Sequence, residues 1–234
     1  MSEFERAVKP FIAGVPGWLT DEEGEALYEL ARRCDGRGVI VEIGSWKGKS
    51  TICLGLGSRA GRGVRLFAVD PHADYRFGDF KTNIERAGVA ELVTPIASLS
   101  QAAADTFDEP IALLFVDGSH EEALVREDFD KWVPKVVDGG WVAFHDTTWT
   151  AGPRRVVGRS IYRSRHFADH RFVVGSLTVA RKVASNTLPD RMRARYVLAV
   201  KTAFWLGSTA LKRQRRLLPK PVERMGRRVL RAIQ

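Results

Sequence analysis

The chain has few cysteines, no internal repeat and no apolar segment typical of a secretory signal. Each absence makes certain classes of protein improbable. Its 234 residues include only two cysteines, Cys34 and Cys53, far apart in the sequence. We therefore expect free thiols in a reducing compartment, and neither a disulfide framework nor a zinc site. Residues 1–14 carry acidic side chains early and contain no apolar core, which favours a cytoplasmic protein. The length favours one domain of ordinary size.

The positive charge of the chain is concentrated at its C-terminal end. The formal net charge is +9, yet residues 190–234 contain 13 Lys and Arg against 2 Asp and Glu, a net of +11, which leaves −2 for residues 1–189. The body is therefore close to neutral. Binding of nucleic acid would depend on the C-terminal segment.

Short apolar runs alternate with segments of helical periodicity along residues 20–165. Most of the runs are apolar throughout, a pattern typical of parallel strands covered on both faces. The predicted fold is therefore α/β and Rossmann-like, with a mostly parallel sheet. Two strand-like runs around Gly175 and Ser176 predict a closing C-terminal β-hairpin. Thr20 and Glu23 predict a capping box at the start of the first long helix.

The segment VEIGSWKGKST, residues 41–51, reads as a strand, a glycine turn and the start of a helix. Gly44 and Gly48 allow a tight bend and a close approach to a ligand. The segment matches neither the dinucleotide fingerprint nor a P-loop, so a turn without a ligand is an alternative interpretation. The next strand ends in Asp70, and a carboxylate at that position suits the two hydroxyls of a ribose.

Two further apolar strands each end in acidic and histidine side chains. IALLFV is followed by Asp117 and, three residues later, His120, whereas WVAF is followed by His145 and Asp146. Because ligands bind at the carboxyl ends of parallel strands, we expect these residues to meet at one site. Two carboxylates suit Mg²⁺ or Mn²⁺, and the imidazole of His145 also admits Fe²⁺ or Zn²⁺.

The four motifs VEIGSWKGKST, LFAVDPH, ALLFVDGSH and GGWVAFHDT together resemble the class I S-adenosylmethionine-dependent methyltransferases, over roughly residues 10–182. The resemblance implies a seven-stranded sheet and S-adenosyl-L-methionine as cofactor. By position, it implies cofactor-binding residues at the ends of the first four strands. Glu42 and Gly44 would lie at the methionine part, Asp70 at the ribose, and Ala97 and Ser98 at the adenine. Ser45 and Asp117 would also bind the cofactor.

The segment FVDGSH followed by GGWVAFHDTTW looks more narrowly like the metal-dependent O-methyltransferases. These include the catechol and caffeoyl-CoA types and the macrocin, rhamnosyl and cephalosporin-hydroxylase-like proteins. The resemblance implies metal ligands at Asp117 and Asp146. His145 departs from the pattern, because relatives usually have an acid there, and it is interpreted as a metal ligand, a catalytic base or neither. His120 stands where catechol-type enzymes have a catalytic lysine, and a free histidine, with a pKa of about 6.5, suits a base.

Simpler interpretations remain open for each of these residues. A role for Asp117 as the cap of the following helix is one, since aspartate often occupies such positions. The others are a solvated loop position for His120 and a bond from His145 to backbone alone. Trp46 and Trp149 are more often packing residues than substrate platforms.

The sequence thus predicts an S-adenosylmethionine-dependent O-methyltransferase that uses a divalent metal, Mg²⁺ before Mn²⁺. Its predicted acceptor is a hydroxyl of a small molecule, a sugar or a glycolipid. Two alternatives are an RNA methyltransferase that grips its substrate with the basic tail, and a methyltransferase-fold binding protein without catalysis.

The predicted domains are a methyltransferase domain over residues 1–185 and a basic amphipathic helical tail over residues 186–234, outside the fold. The apolar part of the tail is too short to span a bilayer comfortably. Three roles compete for it: association with an anionic membrane at the inner face, packing on the domain or on a second copy in a homodimer, and contact with nucleic acid. The near-neutral body disfavours the third.

Overall fold

Seven strands form one sheet in the part of the chain that the structure, a computed structural model, describes. That part comprises residues 2–72, 76–173 and 175–213, with only the backbone described for 211–213. The strand order is β3-β2-β1-β4-β5-β7-β6. Strands β1 to β5 are parallel, and β7 runs antiparallel to both β5 and β6. The strands are β1 (Val39–Ile43), β2 (Leu66–Asp70), β3 (Val93–Ala97), β4 (Ile111–Val116), β5 (Val136–Phe144), β6 (Phe167–Val173) and β7 (Leu177–Lys182).

Helices connect the parallel strands and cover both faces of the sheet. They are α1 (Glu3–Ala7), α2 (Lys9–Ile12), α3 (Asp21–Arg32), α4 (Lys49–Ala60), α5 (Arg76–Arg86), α6 (Ser100–Thr106), α7 (Glu122–Trp132), α8 (Ala151–Ser160) and α9 (Leu188–Arg213). Two 3₁₀ turns, Ala90–Leu92 and Val133–Lys135, precede β3 and β5. The predicted Rossmann-like α/β fold with its closing hairpin is confirmed.

Alternate residues of each strand belong to two hydrophobic cores, one on each face of the sheet. Leu113 and Phe115 of β4 pack with helices α1 to α5, whereas Leu114 and Val116 pack with α6 to α8. This alternation follows from the two-residue period of a strand. It also decides direction at the strand ends, because Asp117 continues the face of Leu113 and Phe115 and so points toward the side of α3 and α4.

Local signals at the N-terminal end of the domain are also confirmed. The Thr20 side chain accepts from the backbone N–H of Glu23, whose carboxylate accepts from that of Thr20, so the capping box of α3 is complete. Both cysteines are buried free thiols, as expected. Within the described residues, no helix combines the length and the apolar character that a membrane span requires.

Helix α9 differs from the predicted tail, because residues 188–210 do not lie outside the fold. Ala194 is buried in the core of the α6–α8 face, with Val197 and Leu198 packed against it. The Phe204 ring lies 5.6 Å from that of Phe172 in β6. A strand at the edge of the sheet leaves an apolar face that needs cover, and α9 supplies it. The basic stretch that continues from Gln214, with the rest of the predicted tail, lies outside the described residues.

Candidate functional site

The turn after β1 requires glycine at Gly44. The φ angle of Gly44 is +87°, and a Cβ atom there would lie 2.3 Å from the backbone oxygen of Asp117. No L side chain fits this position without moving one of the two strand ends. The carboxyl ends of β1 and β4 are therefore in direct contact. Ser45, the next residue, is buried and lies 3.4 Å from Nε2 of His72 through its Oγ.

Asp70 ends β2 and organises the loop that faces this turn. Its two carboxylate oxygens accept the backbone N–H groups of Trp46, at 2.9 Å, and His72, at 2.8 Å. Each oxygen retains a lone pair for a further donor. Ala97 pairs with Asp70 across β2 and β3, and the N–H of Ser98 bonds to the Asp70 carbonyl at 3.2 Å. The predicted ribose and adenine positions are thus neighbours; residues 73–75 lie outside the described residues.

Glu42 directs its carboxylate at the first turn of helix α4. It is fully buried, and its two carboxylate oxygens accept the hydroxyls of Ser50 and Thr51 at 2.5 Å each. Burial raises the pKa of Glu42 to about 8, although these hydroxyls favour its charged form. The arrangement ties the end of β1 to the first turn of α4. The predicted contact of Glu42 with a cofactor stays a prediction.

Asp117, His145 and Asp146 form a cluster at the ends of β4 and β5. One ligand atom from each lies within 4.8 Å of the other two. Nδ1 of His145 lies 3.0 Å from Oδ1 of Asp117 and 3.7 Å from Oδ1 of Asp146. Asp146 adopts a φ of +54°, unusual for a residue other than glycine, which turns its side chain back to the cluster. The sequence predicted this convergence.

A buried acid completes the surroundings of His145, and the sequence analysis missed it. Nε2 of His145 lies 3.3 Å from Oε2 of Glu23 in α3, with a direction too poor for a regular hydrogen bond, so the contact is one of charges. Glu23 also accepts the backbone N–H of Ser176 at 2.5 Å. The capping-box pattern accounted fully for Glu23, and no signal in the sequence linked it to a histidine so distant along the chain.

The carboxylates control the charge of His145. Burial opposes protonation of the ring, but the contacts with Asp117 and Glu23 outweigh it and raise the pKa of His145 to about 11. Burial raises the pKa of Asp117, and the contact with His145 lowers it in part. The pKa of Glu23 is lowered, because the contacts with His145 outweigh burial. The carboxylates therefore favour a positive charge at the centre of the cluster.

His120 lies at the rim of the cluster. Its Nε2 is 2.6 Å from Oδ2 of Asp146, and its side chain is 58% exposed. Asp146 thus has one oxygen toward His120 and the other toward His145. Helix α8 begins directly behind this loop, since a Cβ at Gly152 would lie 2.2 Å from the backbone oxygen of His120.

These contacts decide between several of the simpler interpretations. Glu121, not Asp117, occupies the N-cap of α7. His145 and His120 both contact carboxylates. Trp46 stacks on the exposed Trp18 at 5.2 Å between ring centroids, which leaves the role of this pair open to packing or to ligand contact.

The sheet order, the glycine turn at β1 and the acid at the end of β2 define the class I methyltransferase fold, whose ligand site lies beyond the carboxyl ends of the strands. Residues 41–147 match the model of a family described as methyltransferase domain. This segment of the chain is therefore similar to methyltransferase domains, and the resemblance to the S-adenosylmethionine-dependent class is confirmed.

Solved structures share this fold at low sequence identity. The O-methyltransferase TomG from Streptomyces achromogenes, in complex with S-adenosylmethionine, is 21% identical with a TM-score of 0.58, over 79% of this chain and 91% of that one. An O-methyltransferase from Bacillus cereus, in complex with S-adenosylhomocysteine, is 18% identical with a TM-score of 0.57, over 76% of this chain and 90% of that one. An rRNA methylase from Streptococcus thermophilus is 14% identical with a TM-score of 0.54, over 72% of this chain and 98% of that one. The fold is thus common to proteins described with different acceptors.

A curated relative matches part of the chain. Protein y4gI of Sinorhizobium fredii is 32% identical over 117 residues, which are 46% of this chain. The match spans 13% of the length of that much longer relative.

Proposed function

We propose that the protein is an S-adenosylmethionine-dependent O-methyltransferase that uses a divalent cation, and that its acceptor is a hydroxyl of a small molecule, a sugar or a glycolipid. The observation that carries the proposal is the convergence of Asp117, His145 and Asp146 within 4.8 Å, beside the glycine turn at Gly44. A methyl transfer to oxygen needs an activated hydroxyl next to the cofactor, and this cluster lies where one would be held.

The donor set fits a divalent cation. Neighbouring ligands of an octahedral ion with bonds of about 2.1 Å lie about 3 Å apart. The separations of 3.0 Å and 3.7 Å from Nδ1 of His145 need only small movements to reach that geometry. Binding would require a neutral His145 ring with its proton on Nε2, toward Glu23, a carboxylate–histidine arrangement common behind metal ligands. Mg²⁺ suits the carboxylates, and the imidazole favours Mn²⁺ more.

A bound divalent cation supplies one thing here: it lowers the pKa of a hydroxyl that it contacts. The chain's own residues would then complete the proton transfer. His120 is exposed and its Nε2 is held by Oδ2 of Asp146, so Nδ1 is the ring atom that would accept a proton from an acceptor hydroxyl. His145 is 5% exposed with both ring nitrogens beside carboxylates, which suits a ligand better than a base.

The cofactor would lie across the ends of β1 and β2. Gly44 allows close approach of the backbone, and the free lone pairs of Asp70 suit the ribose hydroxyls. S-adenosylmethionine, when bound, supplies a methyl group on a sulfonium. The positive sulfonium would be favoured beside the carboxylates of the neighbouring cluster.

The proposal is tested by binding and transfer measurements on the full chain. S-adenosylmethionine should bind with loss of affinity in Asp70→Asn, and Mn²⁺ should bind with loss in Asp117→Asn and Asp146→Asn. Asp105→Asn, whose carboxylate pairs with Lys131, is the matched control. Transfer of labelled methyl to hydroxyl acceptors should stop with EDTA and return with Mg²⁺ or Mn²⁺.

Two results would contradict the proposal. Absence of S-adenosylmethionine binding at millimolar concentration would favour the non-catalytic binding protein. Methyl transfer that continues in the presence of EDTA would exclude a role for a divalent cation. The RNA methyltransferase remains the alternative, and it predicts RNA binding that weakens steeply with salt. Association with an anionic membrane and a homodimer also stay predictions.

A further inference from the structure

A cavity of about 230 Å³ lies between α8 and α9. Its lining includes Thr148 after β5, Arg154 and Tyr162 from the α8 region, and Lys201 and Trp205 from α9. Among the described residues, the lining includes no acidic side chain. The described part of the cavity therefore offers Arg154 and Lys201 as basic groups and no carboxylate to pair with them.

Lys201 is buried in a way that calls for an anion. It is 4% exposed, and its Nζ donates to the hydroxyls of Thr147 at 2.7 Å and Thr178 at 2.8 Å. In the described ranges it forms no ion pair. Burial lowers the pKa of Lys201 well below its usual range, and the nearby charge of Arg154 lowers it further. A buried ammonium without a counter-ion is unfavourable, so a chain that keeps it gains by binding a negative group.

Two further donors face the same space. The hydroxyl of Thr148 is fully buried and has no hydrogen-bond partner among the residues that the structure describes. A buried unpaired hydroxyl is uncommon and indicates a missing partner. The guanidinium of Arg154 lies 4.2 Å over the Trp205 ring, which holds its planar fork in place.

We propose that this cavity binds a phosphoryl group carried by the acceptor of the methyl transfer. Donors from three segments of the chain suit a tetrahedral oxyanion better than a planar carboxylate. The size fits one such group with part of its attachment. In assigning the phosphoryl group to the acceptor, the inference rests on the proposed function.

The position of the cavity supports that assignment. Thr148 is two residues from Asp146, so their Cα atoms lie within about 7 Å. Pro153, directly before Arg154, lines the small cavity around Asp117 and His120. An acceptor anchored at Lys201 would thus extend toward His120.

The test is a titration of the full chain with inorganic phosphate at constant ionic strength. Calorimetry measures the binding, and thermal unfolding measures the effect of phosphate on stability. The wild type should bind phosphate and unfold at a higher temperature with it. Lys201→Met and Thr148→Val should each bind at least about tenfold more weakly. Arg195→Met, an exposed cation on the same helix, should respond like the wild type. Without phosphate, Lys201→Met should be as stable as the wild type or more so, because Thr147 and Thr178 still bond to each other and to Ser176 and Tyr162.

Absence of a phosphate response in the wild type overturns the proposal, as does a response that survives in both cavity variants. Further arms use glycerol phosphate and phosphatidylglycerol vesicles. Lys201-dependent binding of either supports the acceptor assignment and tells a soluble ester from a lipid headgroup. Binding of inorganic phosphate alone overturns that assignment. None of these measurements involves methyl transfer, so the proposed function and the phosphate site can fail separately.

Discussion

Oε2 of Glu23 lies 3.3 Å from Nε2 of His145, both side chains being almost wholly buried. Helix α3 thus reaches the end of β5. Glu23 is fixed from two other sides, by the cap of α3 and by the backbone N–H of Ser176. We therefore expect Glu23 to act as a positioning residue for the His145 ring.

Glu23→Gln should weaken Mn²⁺ binding by about 10- to 100-fold, because the neutral amide no longer favours the proton on Nε2 that leaves Nδ1 free for a metal. Glutamine can still serve in a capping box, so the fold should remain. Calorimetric Mn²⁺ titration measures the effect, with thermal unfolding as the check on folding. Glu25→Gln, an exposed acid in the same helix, is the matched control. Equal Mn²⁺ affinity in the two variants would show that Glu23 does not position His145.

The strand ends were predictable from the sequence because the rule behind them is local. An apolar run that ends in Asp117, and another that ends in His145 and Asp146, must bring these residues to one edge once the strands are parallel neighbours. The glycine turn and Asp70 followed from the same rule. Helix boundaries such as that of α4 were also readable, since glycine and helical spacing mark them.

Contacts between distant segments were not predictable. Glu23 is explained by its capping box, and Lys201 interrupts an apolar stretch of the tail, but neither pattern shows which distant side chain the charged group meets. Their burial depends on how α3 and α9 dock on the sheet, which is decided by packing over the whole domain. For the same reason the sequence placed α9 outside the fold, since the face of β6 that it covers cannot be read from the tail.

Gly44→Ala should destabilise the protein by about 2–4 kcal/mol, because the new Cβ meets the Asp117 oxygen and the φ of +87° is strained for alanine. Separation of the strand ends should also abolish S-adenosylmethionine binding. Denaturant unfolding and calorimetry measure the two effects. Gly78→Ala is the control, since no atom of the described residues lies within 4 Å of its Cβ position in helix α5, and it should be neutral or slightly stabilising. Similar stability of the two variants would mean that the turn at Gly44 tolerates a side chain.

Glu42 should make stability fall as pH rises from about 5 to 8. Its pKa is raised from 4.5 to about 8, so between these values the folded state binds more protons than the unfolded state. The favourable contribution is complete below the unfolded pKa and is lost as pH rises through the folded one. Glu42→Gln, neutral at every pH, should therefore gain a few kcal/mol relative to the wild type by pH 8. Denaturant unfolding across this range measures the difference, and the exposed Glu91→Gln serves as control. Parallel pH profiles for wild type and Glu42→Gln would contradict the raised pKa.

Truncation separates the docked helix from the segment beyond it. A chain ending at residue 213 keeps α9 and should unfold close to the wild-type temperature. A chain ending at 187 loses the cover of β6, including the contact of Phe204 with Phe172, and should unfold at least about 10 °C lower. Thermal unfolding of the two chains checks this, and equal temperatures would mean that α9 does not support the domain.

The same pair of chains tests the predicted membrane association. The full chain should sediment with vesicles that contain anionic lipid, whereas the chain ending at 213 should stay in the supernatant. The removed segment carries seven of the thirteen Lys and Arg residues of the tail. Neutral vesicles are the control, and added salt should weaken retention since exposed charges are screened. Equal retention of both chains would remove residues 214–234 as a membrane anchor. It would instead direct attention to the exposed apolar side chains of α9, Leu188, Met192, Tyr196 and Leu206.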